Sequence, residues 1–345
     1  MKQENILITG ATGSFGKHFV KNCLLNKNYK KIIIFSRDEL KQYEMKNELT
    51  KITTRNKKNI AKLRFFLGDI RDKDRLDYAM NNVDTVIHAA ALKQVPAAEY
   101  NPFEFVKTNI IGSQNVIESA IKNNIKKVLA LSTDKASSPT NLYGATKLTA
   151  DKMFISANNY RGLNETKFSV VRYGNVMGSR GSVIPLFINQ IKTNKNITIT
   201  SPDMTRFLMS LDNAVDLVDY AFNNCSNGDM FIQKAPSCSI QTLAESLIEI
   251  FDSSSKIINI GIRHGEKMHE TLVTSEEMIR ADETADYFKI KPDSRDLNYE
   301  NYFSKGEMEK MPEAYSSNNT SILDKNSVIN LLMSLPLVKD ELKSY

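Results

Sequence analysis

A tyrosine and a lysine at helical spacing are the first residues that could do chemistry. They end the stretch VLALSTDKASSPTNLYGATK, where Tyr143 and Lys147 stand four residues apart and so share one face of a helix. A free phenol has a pKa of about 10, and a neighbouring ammonium group would lower it toward the range of an effective base. The alternative is a buried tyrosine beside a solvated lysine, since this spacing also occurs by chance.

A hydroxyl pair and a charged pair precede this tyrosine. Ser132 and Thr133, followed by Asp134 and Lys135, come directly after the apolar run VLAL, which predicts a buried parallel strand. The breaking residues in SSPTN then predict that a helix begins just before Tyr143. For the charged pair, the alternative interpretation is a surface ion pair.

A glycine-rich turn near the start predicts a dinucleotide site. A short strand, Asn5–Thr9, leads at once into GATGSFG, and a helical pattern follows over Lys17–Leu25. Glycines permit the tight turn and the close approach of backbone N–H groups to a pyrophosphate. The residues predicted to contact the cofactor there are Gly10, Thr12, Gly13, Ser14, Phe15 and Gly16. The alternative is a glycine turn that binds no ligand.

The end of the second strand bears on which cofactor is bound. The strand Lys31–Phe35 is followed by Ser36, Arg37 and Asp38. An acidic residue at this point hydrogen-bonds the ribose 2′-OH of NAD, whereas a small hydroxyl and a cation suit the 2′-phosphate of NADP. Ser36 and Arg37 therefore favour NADP, and Asp38 is the residue that argues for NAD.

The next two strands add further cofactor contacts. Predicted strands Arg64–Gly68 and Thr85–Ala91 are followed by residues at the same edge of the sheet. His88, inside the second of these apolar strands, is interpreted as a hydrogen-bonded core histidine rather than a catalytic one. The predicted contacts are Asp69, Ile70, Ala89, Ala90, Ala91 and Lys93.

The alternation of strands and helices predicts an α/β fold. We expect a Rossmann-like parallel sheet flanked by helices, with a smaller C-terminal substrate-binding domain. Residues 1–174 would form the cofactor-binding domain, with 209–228 packing back on it. Residues 175–290 would form mainly the substrate-binding domain, and 291–345 a C-terminal segment whose late helix, Asp324–Leu335, provides a subunit contact.

Composition narrows the class of protein. The 345-residue chain carries a formal net charge of +6. Its basic cluster Lys51–Arg64 is interpreted as a solvated helix end and loop rather than a nucleic-acid site. Three widely spaced cysteines predict reduced thiols in the cytoplasm and no metal site. No apolar run approaches the length of a membrane span.

Several motifs, taken together, resemble a known family. TGATGSFG, HAAALK, STDKA, NLYGATK, VRYGNVMGSRGSVIP, MTRF and GIRHGEKMHE occur in this order. They resemble the extended short-chain dehydrogenase/reductase superfamily and, within it, the UDP-N-acetylglucosamine 4,6-dehydratases that invert C5 and begin pseudaminic acid biosynthesis. The likeness covers about residues 1–290 and weakens in the tail.

This resemblance implies a reaction on bound NADP and a role for each catalytic residue. Hydride passes from C4 of the sugar to the nicotinamide and then to C6, so the cofactor ends as it began. Tyr143, aided by Thr133 and Lys147, takes the O4 proton. Lys135 is the implied base at C5, and Asp134 the implied acid for the departing C6 hydroxyl. Lys135 can be a base only if its pKa falls well below the free value of about 10.4.

The resemblance also implies a UDP-sugar substrate and a homo-oligomer, a dimer or a larger assembly up to a hexamer. Arg206 and Arg263 would clamp the diphosphate, since guanidinium groups match phosphate oxygens, and Glu266 would accept a bond from a ribose hydroxyl. The implied substrate contacts are Lys93, Asn175, Ser182, Val183, Thr200, Arg206, Arg263 and Glu266.

Two other functions share many of these residues. A C5-retaining dehydratase or a UDP-sugar 4-epimerase would use the same cofactor and the same Tyr143–Lys147 pair, but an epimerase needs no acid and base at C5 and C6, so Asp134 and Lys135 argue against it. A non-catalytic protein that binds NADP as a redox signal is the alternative of a different class, against which the intact Thr133, Tyr143 and Lys147 argue.

Overall fold

The computed structural model of the protein describes residues 3–52, 60–179, 181–293 and 311–345. The predicted loop of the basic cluster Lys51–Arg64 falls largely outside the described residues; the helix that precedes it ends at Ile52. Position 180 and positions 294–310, within the predicted C-terminal segment, also lie outside them.

A parallel sheet forms the centre of the molecule, and its parallel strands alternate with helices along the chain. These strands are β1 (Asn5–Thr9), β2 (Lys31–Ser36), β3 (Leu63–Leu67), β4 (Thr85–His88), β5 (Lys127–Leu131) and β6 (Lys167–Arg172). Across the sheet they lie in the order β6-β5-β4-β1-β2-β3. Most of their residues are buried because helices cover both faces, which explains the near-continuous apolar runs in the sequence. The predicted α/β fold class is confirmed.

Seven helices cover the two faces of the sheet in the described part of the chain. They are α1 (Ser14–Asn26), α2 (Glu39–Ile52), α3 (Lys73–Ala79), α4 (Val95–Tyr100), α5 (Pro102–Phe105), α6 (Gly112–Lys122) and α7 (Leu142–Tyr160). A π-helical segment, Val106–Ile111, joins α5 to α6, and a short 3₁₀ turn, Asp134–Ala136, follows β5. Such π segments are frequent at functional sites.

The order of the strands reverses between β1 and β4, and this determines where a ligand can bind. β1 pairs in parallel with β2 on one side and with β4 on the other. The crevice beyond the carboxyl ends of these two strands is the usual ligand site of doubly wound sheets. β4 ends at His88, three residues earlier than predicted, so Ala89, Ala90 and Ala91 lie in the loop beyond it. The predicted core role of His88 is confirmed: its ring lies 2.9 Å from the Thr9 hydroxyl and 3.3 Å from that of Ser113.

A second group of elements packs around its own core beside the sheet. It contains α8 (Val183–Lys192), β7 (Ile197–Ile199), β8 (Thr205–Phe207), β10 (Ser237–Ser239), α10 (Ile240–Ile250), β11 (Ile257–Asn259), α12 (Lys325–Ser334) and α13 (Pro336–Lys343). Val328 and Leu332 of α12 are buried in this core against α10, and Leu331 is partly buried there. The predicted subunit contact of this segment stays a prediction. Burying an amphipathic face needs only a partner surface, and the sequence could not tell an internal partner from an external one.

The late part of the chain also returns to the main sheet. β9 (Met230–Gln233) pairs in parallel with β6, β14 (Tyr287–Ile290) pairs antiparallel with β9, and β13 (Ala281–Glu283) forms the edge. α9 (Leu211–Asn224) packs on α1 as well as on the sheet. The predicted domain boundaries stay a prediction. No helix among the described residues is long and apolar enough to cross a membrane.

Three short elements remain. β12 (Thr271–Val273) pairs with β15 (Tyr315–Ser316), and the short helix α11 (Ser275–Met278) follows β12. These elements hold the segment before residue 271 in place, and that segment reaches the candidate site.

Candidate active site

The start of α7 positions the tyrosine. Asn141 caps the helix by accepting a hydrogen bond from the backbone N–H of Gly144 at 2.9 Å, and asparagine is among the best N-cap residues. A Cβ placed on Gly144 would lie 2.1 Å from the carbonyl oxygen of Lys135. The first turn of α7 therefore packs directly on the 3₁₀ turn that carries Asp134 and Lys135, and the close approach requires glycine.

Tyr143 and Lys147 share a buried face of α7, as their spacing predicted. The ammonium group of Lys147 donates to the carbonyl oxygen of Leu131 at 2.8 Å, which ties the helix to the end of β5. The expected lowering of the tyrosine pKa is wrong for the chain's own groups: burial raises the pKa of Tyr143 to about 12, although the charge of Lys135 and a hydrogen bond from Thr133 oppose the shift. Burial dominates because the phenolate is the charged form.

Four charged side chains form a cluster beside the tyrosine, which we call the Lys135 cluster: Asp134, Lys135, Arg206 and Glu270. Its two carboxylates are buried and its two cations are partly exposed. The ammonium group of Lys135 lies 3.1 Å from Oδ1 of Asp134 and 3.4 Å from Oε1 of Glu270. The Nε atom of Arg206 lies 3.7 Å from the same oxygen of Glu270. The surface ion pair considered for Asp134 and Lys135 is wrong, since Asp134 is 1% exposed.

The pKa of Lys135 moves opposite to the expected direction. Burial would lower this pKa, but the carboxylates of Asp134 and Glu270 outweigh burial and raise it above the ordinary value. The requirement for a lysine base, a lowered pKa, is therefore not met by the chain alone. The sequence could not reveal this because Glu270 is far from Lys135 along the chain. In the same cluster, the Oδ2 atom of Asp134 and the Oε2 atom of Glu270 are buried without a hydrogen-bond partner among the described residues.

The segment that contains GEKMHE lies against the start of α7. The carbonyl oxygen of Gly265 accepts hydrogen bonds from the side chains of Thr140 and Asn141 at 3.1 and 3.0 Å, and Lys267 donates to the carbonyl oxygen of Ser137. These contacts carry Glu270 into the Lys135 cluster.

The predicted substrate residues divide between this cluster and an exposed loop. Arg206 belongs to the Lys135 cluster through its contact with Glu270. Its guanidinium group also donates to the carbonyl oxygens of Thr205 and Met268. Arg263 is exposed and lies 3.9 Å from Glu266 on the loop before Lys267.

The remaining predicted substrate residues have varied surroundings. Burial and, to a smaller extent, the charge of Lys135 lower the pKa of Lys93. The side-chain oxygen of Asn175 is buried without a partner among the described residues, which leaves an acceptor for a ligand. Ser182 is the N-cap residue of α8, directly before Val183, and the Thr200 hydroxyl contacts the sulfur of Met204 at 3.1 Å.

The glycine turn fits the pyrophosphate of a dinucleotide. Gly10 has a φ of +64°, and a Cβ there would lie 2.8 Å from the backbone of Ala90; one at Gly16 would lie 2.5 Å from Ala11. The turn therefore closes over the crevice between β1 and β4, where side chains would obstruct a ligand. The Thr9 hydroxyl accepts hydrogen bonds from the backbone of Ala89 and Ala90 and fixes the opposite wall, on which Ala91 is exposed. Around the turn, Thr12 is buried, Gly13 and Ser14 begin α1, and the ring of Phe15 stacks on Phe19 and Tyr173.

The adenosine end of the crevice contains a cation and several paired acids. Ser36 is buried and its hydroxyl accepts a hydrogen bond from Gln42, whereas Arg37 is exposed and lies 3.5 Å from Asp69. Asp38 is paired with Lys41 at 2.7 Å, and Asp69 is also bound by Arg71 at 2.7 Å. Ile70 is buried in the core beneath.

Three residues that sequence analysis did not assign support the site. Asn109, in the π-helical segment, bonds both backbone groups of Leu92 and the Thr146 hydroxyl, so it joins the cofactor wall to α7. Asp151 accepts from the Ser132 hydroxyl at 2.5 Å and lies 3.5 Å from the fully buried Arg172. The available signals were a polar residue inside an apolar helix and an arginine ending an apolar strand.

Comparison with known proteins identifies the family. A model described as polysaccharide biosynthesis protein matches residues 6–292, and one described as polysaccharide biosynthesis protein C-terminal matches residues 293–339. The chain belongs to the polysaccharide biosynthesis protein family.

Three relatives illustrate what this polysaccharide biosynthesis chain is similar to. A UDP-glucose 4-epimerase of Rickettsia conorii (strain ATCC VR-613 / Malish 7) is 50% identical over 346 residues, which cover 99% of this chain and 98% of that protein. The structure of Pen from Bacillus thuringiensis is 42% identical, with a TM-score of 0.85 over 97% of this chain and 99% of that one. DesIV, a dTDP-glucose 4,6-dehydratase from Streptomyces venezuelae with NAD and TYD bound, is 20% identical, with a TM-score of 0.67 over 76% and 86% of the two chains, and shows a likeness of fold.

Proposed function

We propose that the protein is a nucleotide-sugar 4,6-dehydratase that acts on UDP-N-acetylglucosamine and inverts C5. The product would be UDP-2-acetamido-2,6-dideoxy-β-L-arabino-hex-4-ulose, a sugar for pseudaminic acid. The observation that carries the proposal is the Lys135 cluster beside Tyr143. Exchange of configuration at C4 alone needs one base at O4, whereas loss of water across C5 and C6 needs a further acid and base.

The cofactor of this proposal is NADP, for which the residues at the end of β2 provide the support. The side chain of Arg37 is exposed, so its guanidinium group can contact a 2′-phosphate. The carboxylate of Asp38 is already paired with Lys41. When bound, the nicotinamide would accept hydride from C4 and return it to C6. The chain's own part is to hold the sugar and to move protons.

Tyr143 would remove the O4 proton, with Thr133 as its hydrogen-bond partner. The ketone at C4 then acidifies the C5 hydrogen. Lys135 carries a proton in the resting site, so this proton must first pass to Asp134, 3.1 Å away, leaving a neutral amine and a carboxylic acid. The amine takes the C5 proton and the acid protonates the C6 hydroxyl, which leaves as water. Lys135 and Asp134 are then an ion pair again. C5 would take up one proton when C6 receives the hydride, and this proton offsets the O4 proton that Tyr143 has taken, so the proton count of the whole reaction balances.

Substrate contacts are proposed from the same region. The proposed substrate contacts are Lys93, Asn175, Ser182, Val183, Thr200, Arg206, Arg263 and Glu266. Of these, Arg206 and Arg263 would clamp the diphosphate, and Glu266 would accept a bond from a ribose hydroxyl. The side-chain oxygen of Asn175 and two oxygens of the cluster have no hydrogen-bond partner among the described residues, which supports hydroxyl recognition, since buried polar atoms need partners. Residues 1–174 with 209–228 would form the cofactor-binding domain and 175–290 mainly the substrate-binding domain. Three free thiols support a reducing compartment, the cytoplasm, and we propose a homo-oligomer on the strength of the resemblance.

The test is mass spectrometry of UDP-N-acetylglucosamine incubated with the protein and NADP. The expected result is loss of one water, followed by proton NMR of the fresh product that gives the L-arabino configuration at C5. Tyr143→Phe should abolish all conversion, whereas Lys135→Ala should block water loss and still allow transient NADPH absorbance. A first-formed D-xylo product would indicate retention, and full dehydratase activity in Lys135→Ala would remove Lys135 from the mechanism.

A second candidate is a UDP-sugar 4-epimerase, which the name of the 50% identical Rickettsia relative favours. It would use Tyr143 and Lys147 alone. In the same assay it would give a product of unchanged mass, and Lys135→Ala would leave most activity intact.

A further inference from the structure

Glu270 is a buried carboxylate that neither the sequence nor the reaction outlined above assigns. Glu270 is 3% exposed and lies just before β12. The loop that precedes it in the same segment is exposed. Its backbone is fixed by Ser317, whose hydroxyl accepts from the Glu270 N–H at 2.9 Å and whose N–H donates to the Glu270 carbonyl at 2.8 Å. The tail of the chain thus determines where this carboxylate lies.

Two carboxylates share one ammonium group in the Lys135 cluster. Asp134 lies on the same turn as Lys135, whereas Glu270 approaches from a different part of the fold, at 3.4 Å. When the Lys135 proton moves to Asp134, the charge of Asp134 disappears and that of Glu270 remains against a neutral amine. Glu270 therefore favours the proton on Lys135, and the guanidinium group of Arg206, 3.7 Å from Glu270, limits this effect.

We propose that Glu270 is a positioning residue that favours the proton on Lys135 over Asp134. This inference rests on the proposed function. Asp134 would be the partner that exchanges the proton, and Glu270 the fixed charge that sets the balance between the ion pair and the neutral pair. The Oε2 atom of Glu270 has no hydrogen-bond partner among the described residues, which supports a group placed for its charge, since most buried polar atoms are hydrogen-bonded.

The experiment compares Glu270→Gln with the unmodified protein across a series of pH values. Glutamine keeps the size and removes the charge. An opposite charge within about 4–6 Å changes a pKa by about 1–3 units, so the alkaline limb of the pH profile for water loss should move down by about one unit or more. Glu270→Asp, which keeps the charge, should restore most of the original position. Glu277→Gln removes another buried, cation-paired carboxylate outside the cluster and should leave the limb in place.

A second measurement does not depend on turnover. Amine-reactive reagents modify only the unprotonated lysine, so the rate of Lys135 labelling, followed by peptide mass spectrometry of the NADP-loaded protein, reports its proton directly. In Glu270→Gln the labelling should begin about one pH unit lower or more. Unchanged labelling and an unchanged alkaline limb would overturn the role of Glu270. Shifted labelling without water loss at any pH would support it and overturn the dehydratase proposal instead.

Discussion

Gly144→Ala is expected to disable the site while preserving the fold. Alanine is favoured over glycine inside a helix by about 1 kcal/mol, so α7 itself should gain stability. The new Cβ would, however, lie 2.1 Å from the carbonyl oxygen of Lys135, where ordinary contacts begin near 3.4 Å. The backbone must separate by about 1 Å to relieve this contact, and a misplacement of about 1 Å costs on the order of 100-fold in rate. The collision outweighs the gain in helix propensity because a backbone carbonyl cannot rotate away as a side chain can.

The assay for this prediction is kcat for water loss from UDP-N-acetylglucosamine, measured beside the thermal unfolding midpoint. We expect kcat to fall about 100-fold while the midpoint changes by only a few degrees. Gly162→Ala is the matched control: its φ of +66° makes alanine strained, yet no atom of the described residues lies within 4 Å of the added carbon. The control should lose stability and keep its kcat. An unchanged kcat in Gly144→Ala would refute the idea that this contact sets the distance between Tyr143 and Lys135.

Three further predictions follow from charged and polar groups. Arg37→Ala should weaken NADP binding tenfold or more and leave NAD binding nearly unchanged, since a charge-assisted contact contributes about 1.5–3 kcal/mol; calorimetric titration with both cofactors measures this, and equal losses would contradict it. Burial lowers the pKa of His88 to about 3. Below about pH 6.5 the unfolded state therefore binds a proton that the folded state does not bind, and the free energy of unfolding decreases as the pH falls. His88→Gln should remove about 2 kcal/mol of the decrease between pH 7 and pH 5, measured by urea unfolding. Arg172→Met leaves the buried Asp151 and the partly buried Glu277 without their arginine and should cost about 3–5 kcal/mol, part of which Arg172→Met with Glu277→Leu should recover. A single variant as stable as the parent would show that this arginine contributes nothing.

The sequence was a good guide wherever the chemistry is local. β1 has the bounds that were predicted for it, and the spacing of Tyr143 and Lys147 places both on one buried face because helical periodicity alone decides it. The resemblance marked GEKMHE as a motif, yet nothing in the sequence indicated that Glu270 reaches Lys135. That contact joins residues that are far apart in the sequence, and the direction of the Lys135 pKa shift depends on it.

One predicted strand has the wrong end. The strand predicted to continue to Ala91 ends at His88, because the three alanines form the crevice wall instead of pairing in the sheet. The subunit contact predicted for α12 stays a prediction, because an apolar stripe gives no information on which surface covers it. Both points concern the partner of a segment, which is a property of the folded chain and not of the segment.

The pairing of β6 with β9 has a consequence for how the protein is made. The six parallel strands that hold the glycine turn and Tyr143 are complete by residue 172, but the outer edge of β6 receives its partner only when β9 has been synthesised. Until then Val170 and Val171, fully buried in the finished molecule, belong to an open strand edge, the kind of surface that recruits other chains. The nascent chain must therefore expose this aggregation-prone strand edge while residues 173–229 are synthesised. A fragment ending at residue 174 would keep the edge exposed. The half of the molecule that carries the recognisable motifs depends on its late strands to stay unaggregated.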